Sequence, residues 1–153
     1  MPRVQRSADV TWEGNVARGS GMISAETGAF RELGFSLPTR IGASEGKTSP
    51  EELLAAAHAG CYAMSLASEL TQAGTPPARL EVTATVTLDE VEGGAHRIVA
   101  SEINARARGD GIDGSALERA ARAADDGCPF SALINASANV SFNVELEGGT
   151  DGD

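Results

Sequence analysis

The sequence has few of the residues that define several large classes of protein. It contains only two cysteines among 153 residues, too few for a small secreted scaffold held together by disulfides. Only 12 basic residues stand against 22 acidic ones, and the formal net charge of -10 disfavours nucleic acid and anionic lipid surfaces as partners. No apolar run approaches the roughly 18 residues of a membrane span, and none follows the N-terminus as in a signal peptide. These absences predict a cytoplasmic protein, in which cysteines are more often reactive or metal-binding than structural.

The first half of the chain changes its periodicity once, at Ser49. Residues 9–47 are rich in glycine and alternate between apolar and polar, which predicts a meander of short strands. The sequence Ser-Pro-Glu-Glu from Ser49 then predicts a helix N-cap, a proline at the first helical position and a capping box closed by a glutamate. The helix should continue to about Gln72, because Gly74 and two prolines follow.

The second half predicts strands, helices and a last strand. Alternation over 79–108, interrupted by a glycine turn, predicts a β-hairpin. A second helix should begin with Ser115 or Asp113 as its cap, and a capping box from Ser115 to Glu118 is predicted. A short helical piece in "CPFSALI" and a strand in "ASANVSFNVELE" complete the pattern. The order favours an α+β fold with a mainly antiparallel sheet, in one domain over 1–146 with a disordered tail over 147–153.

The central helix is apolar or small on nearly every face between Leu53 and Met64. A helix at the surface of a monomer carries one apolar stripe, so this helix should be buried all round. Its alanines and Gly60 would let another backbone approach closely, and the chain offers little else to cover them. A homodimer is therefore predicted.

The two cysteines occupy different local environments. Cys61 lies in the middle of the apolar helix, where burial raises a thiol's pKa and the residue commonly acts as a small hydrophobe. His58, on an adjacent face, is either a base or, more commonly at such a position, a hydrogen-bonded core residue. Cys128 precedes Pro129 at a helix start, where free N–H groups stabilise a thiolate. Position alone therefore favours Cys128 as the more reactive thiol.

A metal site is the alternative use of these residues. Cys61, Cys128, His58 and His96 would supply four ligands of the kind that zinc prefers. No C-x-x-C or H-x-x-x-H spacing is present, and His96 follows a glycine turn. The signal for a metal is weak, and the sequence predicts none.

Several motifs together resemble the OsmC/Ohr family of osmotically induced and organic hydroperoxide resistance proteins. They are "WEGNVARGSG" and "FSLPTR" near the start, "SPEELLAAAHAGCYAMSL" in the central helix, "VTLDEV" in the hairpin and "GCPFSALINA" near the end. The front of the chain is more similar to the OsmC branch, because the glycine-glycine-arginine pattern of the Ohr branch is missing. The resemblance covers nearly the whole chain.

This resemblance implies a thiol peroxidase that reduces organic hydroperoxides, built as an intertwined homodimer with antiparallel sheets around the long helix. It implies that Cys61 is the peroxidatic cysteine and Cys128 the resolving one. It places Arg40 over the thiolate, with Arg18 as the weaker candidate, and gives Glu51 the role of orienting that arginine. Ten helical residues, about 15 Å, separate Glu51 from the cysteine of its own helix, so Glu51 should act through the arginine, after a bend or across the dimer.

The resemblance also implies a cycle without metal, flavin or haem. A Cys61 sulfenic acid would condense with Cys128 to a disulfide, and an external dithiol, often a lipoylated protein in this family, would reopen it. Aromatic and aliphatic side chains that would line the peroxide pocket, or belong to the core, are Phe30, Phe35, Phe130 and Ile134. The alternative function is a stress or small-molecule-binding protein of the same fold with little turnover.

Overall fold

A computed structural model describes residues 2–148 of the chain. Ten elements follow one another, namely β1 (Ala8–Glu13), β2 (Ser20–Ala25), β3 (Leu33–Phe35), α1 (Leu37–Ile41), α2 (Pro50–Gln72), β4 (Arg79–Glu90), β5 (His96–Arg108), α3 (Gly114–Gly127), α4 (Pro129–Asn135) and β6 (Asn139–Leu146). This mixture confirms the predicted α+β class. None of the helices in the described residues is long and apolar enough to cross a membrane.

The chain divides into two compact units, and the boundary falls just after the first turn of α2. Unit 1 is Met1–Leu53 and unit 2 begins at Leu54. The single domain over 1–146 stays a prediction. Of the predicted disordered tail, residues 147 and 148 form a turn, and residues 149–153 lie outside the described part of the chain.

Unit 1 contains a three-stranded antiparallel sheet in the order β1-β2-β3. Trp12 is registered with Gly21, and Gly21 with Phe35, so the three residues form one row across the sheet. A Cβ atom at Gly21 would lie 2.4 Å from the ring of Phe35, which explains why this position has no side chain. The rings of Trp12 and Phe35 consequently lie over the glycine, with their centroids 5.5 Å apart.

The predicted meander of strands is wrong for the segment that contains Arg40. After β3 the chain forms the short helix α1, with Ser36 as its N-cap and a proline in its first turn. Ser36 Oγ accepts a hydrogen bond from the backbone N–H of Thr39 at 3.3 Å. Arg40 therefore lies in the last turn of a helix.

Helix α2 begins where the sequence predicts it, but the glutamate of the predicted capping box makes a different hydrogen bond. Ser49 Oγ accepts a hydrogen bond from the backbone N–H of Glu52 at 3.1 Å, as expected of an N-cap. The Glu52 carboxylate accepts from the Thr48 hydroxyl at 2.9 Å, and no bond back to the Ser49 N–H closes the predicted capping box. The helix ends before Gly74, whose φ of +81° a glycine adopts without strain.

Unit 2 contains the second sheet, in the order β4-β5-β6. β4 and β5 form the predicted antiparallel hairpin, with an irregular register between Thr87 and Leu88. β6 pairs with β5 in parallel, from Ala100 opposite Asn139 to Ala107 opposite Leu146. The prediction of a mainly antiparallel arrangement holds for the other pairings, but the last strand runs parallel because α3 and α4 form a crossover between β5 and β6.

The structure shows which of the two predicted residues, Ser115 or Asp113, is the N-cap of α3. Asp113 Oδ1 accepts a hydrogen bond from the backbone N–H of Ala116 at 2.7 Å and is the N-cap. Ser115 lies inside the helix, where its hydroxyl accepts from the Arg119 guanidinium at 2.6 Å. The predicted capping box from Ser115 to Glu118 is therefore wrong.

One stripe of α2 packs into the core of unit 2. The stripe consists of fully buried side chains at every fourth position, namely His58, Tyr62, Leu66 and Leu70. Tyr62, Leu66 and Leu70 of this stripe pack with residues of β5 and of α3 in a single apolar cluster. The prediction that α2 is buried all round does not hold within one chain, because a second stripe at Ala56, Gly60, Met64 and Ser68 is exposed, with Met64 at 74%.

Candidate functional site

The two cysteines come together in unit 2 as free thiols. Cys61 is half-buried on α2, and Cys128 is fully buried as the N-cap of α4, as its position before Pro129 predicts. Cys128 Sγ accepts a hydrogen bond from the backbone N–H of Ser131 at 3.5 Å. Cys61 packs against the apolar cluster to which Cys128 belongs.

The Cys61 thiol is held in its protonated form by its surroundings. Burial raises the pKa of the Cys61 thiol, and the neighbouring Cys128 thiol raises it further. The backbone N–H of Phe130 and the side chain of Ser65 lower the same pKa by smaller amounts. Unit 2 therefore brings the two sulfurs together but favours the thiol of Cys61 over its thiolate.

His58 is a fully buried, hydrogen-bonded residue between three elements of unit 2. Its Nδ1 lies 2.7 Å from the hydroxyl of Ser101 on β5, and its Nε2 lies 2.9 Å from the hydroxyl of Ser131 on α4. A neutral imidazole has one donor and one acceptor, and two hydroxyl groups match both. Of the two predicted roles, the geometry agrees with the hydrogen-bonded core histidine.

Burial lowers the pKa of the His58 imidazole, while the negative charge of Asp125 acts in the opposite direction. The low-dielectric surroundings that disfavour the imidazolium also affect the neighbouring Tyr62, whose pKa burial raises well above its usual value. Tyr62 donates its hydroxyl hydrogen to the carbonyl of Ala121 at 3.0 Å. The polar groups along the buried stripe of α2 are thus neutral and hydrogen-bonded.

Arg40 and Glu51 form an ion pair in unit 1. Arg40 Nε donates to Glu51 Oε1 at 3.1 Å and to Oε2 at 3.0 Å, and a terminal guanidinium nitrogen also donates to Oε1. The Glu51 side chain is 14% exposed and that of Arg40 is 35% exposed. The hydrogen bonds from Arg40 lower the pKa of Glu51, so the carboxylate is ionised and holds the guanidinium in a defined direction.

A cavity of about 240 Å³ in unit 1 includes Arg40 in its lining. Its walls are mostly apolar side chains, among them Trp12, Val16 and Phe35. Phe35, which was predicted to line a pocket, thus lines the same cavity as Arg40. Arg18, the weaker candidate, is exposed in the connection between β1 and β2, where its backbone N–H donates to Asn15 Oδ1 at 3.0 Å.

Two other predicted wall residues belong to unit 2, and the predicted metal ligands form no metal site. Phe130 packs against the core of unit 2, and Ile134 is buried there. His96 is exposed at the start of β5, whereas His58 is enclosed. Within residues 2–148, no group of three or more histidine, cysteine or acidic side chains is arranged to hold a metal ion.

Sequence reasoning missed Ser101 and Ser131, the two hydroxyl partners of His58. Ser131 follows Cys128 by three residues, as Cys61 follows His58 by three residues. Residues three apart lie on the same face of a helix. The repeated spacing is therefore a sequence signal for the faces on which α2 and α4 meet. Ser101 lies in an alternating strand and carries no comparable signal.

Solved structures of known proteins identify the fold. The organic hydroperoxide resistance protein from Elizabethkingia anophelis is similar with a TM-score of 0.76 at 22% identity, over 96% of this chain and 100% of that one. OhrB of Bacillus subtilis is similar with a TM-score of 0.65 at 24% identity, over 92% of this chain and 98% of that one. The fold is that of the OsmC and Ohr proteins.

Sequence comparisons define the family. The family described as OsmC-like protein matches residues 42–143. Peroxiredoxin OsmC of Escherichia coli (strain K12) is 32% identical over 142 residues, which cover 93% of this chain and 98% of that protein. Organic hydroperoxide resistance protein OhrA of Bacillus subtilis (strain 168) is 30% identical over 117 residues, 74% of this chain and 79% of that protein. The chain belongs to the OsmC-like protein family, as its motifs predict.

The buried His58 generates a prediction about pH. Because the folded protein lowers the pKa of His58 below its ordinary 6.5, the unfolded chain takes up this proton first as the pH falls. With respect to His58, the folded protein should therefore be most stable above pH 6.5. As the pH falls below 6.5, the free energy of unfolding should decrease by up to about 1.4 kcal/mol per pH unit until the folded ring is itself protonated.

Imidazole nitrogen NMR of the folded protein measures this directly. At pH 6.5, where an ordinary imidazole is half protonated, we expect the His58 ring to be mostly neutral, with the exposed ring of His96 giving a second signal in the same sample. A His58 ring that is half protonated at or above pH 6.5 would contradict the prediction.

Proposed function

We propose that this chain is a thiol peroxidase that reduces organic hydroperoxides to alcohols, with Cys61 as the peroxidatic and Cys128 as the resolving cysteine. The observation that carries the proposal is the placement of two free thiols at one apolar cluster of unit 2, Cys61 on α2 and Cys128 at the start of α4. The names of two relatives, peroxiredoxin and organic hydroperoxide resistance protein, support a peroxidase-like function.

In the proposed cycle the Cys61 thiolate attacks the terminal oxygen of the hydroperoxide. The O–O bond breaks, the alkoxide leaves and is protonated to an alcohol, and Cys61 becomes a sulfenic acid. Cys128 then attacks this sulfur, a disulfide forms and water leaves. An external dithiol, for which a lipoylated protein is our candidate, reopens the disulfide.

The first step needs a cation, because burial favours the protonated thiol of Cys61. We assign this role to Arg40, whose guanidinium is always charged and is held by Glu51 through hydrogen bonds to both carboxylate oxygens. The same charge would stabilise the departing alkoxide. The apolar cavity beside Arg40 is suited to the hydrocarbon part of an organic hydroperoxide.

A comparison of the two cysteine variants tests the assignment of roles. We expect Cys61→Ser to abolish the reaction with an organic hydroperoxide such as tert-butyl hydroperoxide. Cys128→Ser should still react once, because the resolving thiol is not needed for the first step, and should leave a sulfenic acid on Cys61 that is trapped and located by mass spectrometry. If Cys61→Ser instead consumes one equivalent of peroxide at Cys128, the two roles are exchanged.

Removal of the proposed counter-charge should slow the first step alone. Arg40→Ala should lower the rate of Cys61 oxidation at least about tenfold, which corresponds to ~1.4 kcal/mol of barrier. Stopped-flow oxidation measures the rate, and circular dichroism checks that the fold is intact. Arg18→Ala is the matched control and should have a smaller effect, since its side chain is exposed in the β1–β2 connection. An equal or larger loss in Arg18→Ala would move the role to Arg18.

We also propose that the chain functions as a homodimer. The exposed stripe of α2 consists of small residues around Met64, which is 74% exposed, and a second copy of the chain would cover it. We expect the dimer mass in light scattering at micromolar concentration. Met64→Glu should shift the mass toward the monomer, because the interface would bury the new charge. A folded wild-type protein with the monomer mass would refute the dimer.

A further inference from the structure

Two pairs of residues connect α2 and α4, and one of them is a hydrogen bond. His58 and Cys61 lie three residues apart on α2, and Cys128 and Ser131 lie three residues apart at the start of α4. His58 Nε2 lies 2.9 Å from the Ser131 hydroxyl, and Cys61 packs against the apolar cluster to which Cys128 belongs. Each helix therefore presents one cysteine and one polar partner on the same face, and the two pairs lie side by side.

The histidine pair is buried and hydrogen-bonded on both sides of the ring. Its imidazole is fully buried and is held from the opposite side by Ser101 of β5 at 2.7 Å, so that it has a hydrogen-bond partner at each ring nitrogen. Ser131 is 3% exposed, and its backbone N–H is the donor to Cys128 Sγ at 3.5 Å. The Ser131 residue thus contacts the resolving cysteine through its backbone and the histidine through its side chain.

Apolar packing of Cys128, Phe130 and Ile134 also holds the helix that carries Cys128, and the hydrogen bond to His58 adds a directional tie to α2. α4 has only seven residues, fewer than two full turns beyond its cap, and begins directly after the end of α3. A displacement of α4 along α2 would break the His58–Ser131 bond and leave a buried imidazole nitrogen without a partner, which is costly. The hydrogen bond therefore resists the motion that would separate the two sulfurs.

We propose that the His58–Ser131 hydrogen bond positions Cys128 against Cys61 for disulfide formation, so that His58 and Ser131 are positioning residues of the resolving step. The proposal rests on the proposed function. In this step the Cys128 sulfur attacks the Cys61 sulfenic sulfur, the S–S bond forms and the S–O bond breaks. The hydroxide from Cys61 and the proton from Cys128 leave together as water, and no additional oxidant or reductant is required.

The rate of disulfide closure tests this positioning. Ser131→Ala removes one oxygen, and with it the bond to His58, while keeping the backbone N–H that donates to Cys128. After one equivalent of organic hydroperoxide, we expect sulfenic acid to form on Cys61 at a rate within about twofold of wild type. Closure to the disulfide should be slowed at least about tenfold, so that excess peroxide drives more Cys61 to the sulfinic acid.

Tyr62→Phe is the matched control. It also removes one buried hydrogen bond of α2, but that bond goes to the Ala121 carbonyl of α3 rather than to α4. We expect its closure rate and sulfinic fraction to equal those of wild type. A slow closure in both variants would indicate a general loosening of the core and overturn the proposal, as would a Ser131→Ala variant that closes at the wild-type rate.

A measurement without peroxide separates this proposal from the proposed function. Equilibration in mixtures of reduced and oxidised dithiothreitol gives the reduction potential of the Cys61–Cys128 pair. A tenfold lower effective concentration in Ser131→Ala raises the potential by about 30 mV, and Tyr62→Phe should not change it. If wild type forms the disulfide in this buffer but not with peroxide, the proposed function fails, and the potentials alone decide the positioning role. Equal potentials in all three proteins would overturn it.

Discussion

Burial of one side of α2 is the constraint on which the rest of unit 2 depends. Tyr62, Leu66 and Leu70 are fully buried against β5 and α3, and burial of each large apolar side chain contributes roughly 1.5–3 kcal/mol. The helix cannot rotate about its axis without exposing this stripe. The same stripe carries His58 into the interior, where the loss of solvation has to be offset by hydrogen bonds. The position of Cys61, on the border of the stripe, is thus determined by packing.

That position creates an electrostatic conflict for a reactive thiol. Under the proposed function this half-buried sulfur has to react as a thiolate, but its surroundings raise its pKa. Unit 1 contains a cation of the required kind in Arg40, with Glu51 beside it. The carboxylate reduces the net positive charge of the pair, so its contribution is geometric. It holds a guanidinium, which loses considerable side-chain entropy when ordered, in a single direction.

The sequence predicts those parts of the fold that have a long pattern. The start of α2 follows from Ser49 and Pro50, and the β4–β5 hairpin follows from sustained alternation, because both signals extend over many residues. Helix α1 was missed because its five residues are too few to show a helical period. The direction of β6 was missed for a different reason, since an alternating strand has the same pattern whether its neighbour is parallel or antiparallel.

The residues of the candidate site also divide into those that the sequence predicts and those that it does not. Cys128 was placed at its N-cap by the following proline, a local signal. The partners of His58 come from β5 and α4, far along the chain, and single serines have no pattern that identifies them. Asp113 and Ser115, which lie two residues apart, both satisfy the rule for an N-cap, so the sequence alone does not choose between them for α3. Local chemistry is therefore predictable here, whereas contacts between distant elements required the structure.

The parallel pairing of β6 with β5 has a consequence for the order in which the chain matures. Cys128 lies inside the crossover that connects these two strands, and that crossover is closed only when β6 has paired. β6 is also the last element of the described chain, so it leaves the ribosome after both cysteines. Closing this long connection costs conformational entropy that the β5–β6 pairing must offset. The crossover that carries Cys128 can thus close only after the segment 139–146, which follows both cysteines in the sequence, has been synthesised.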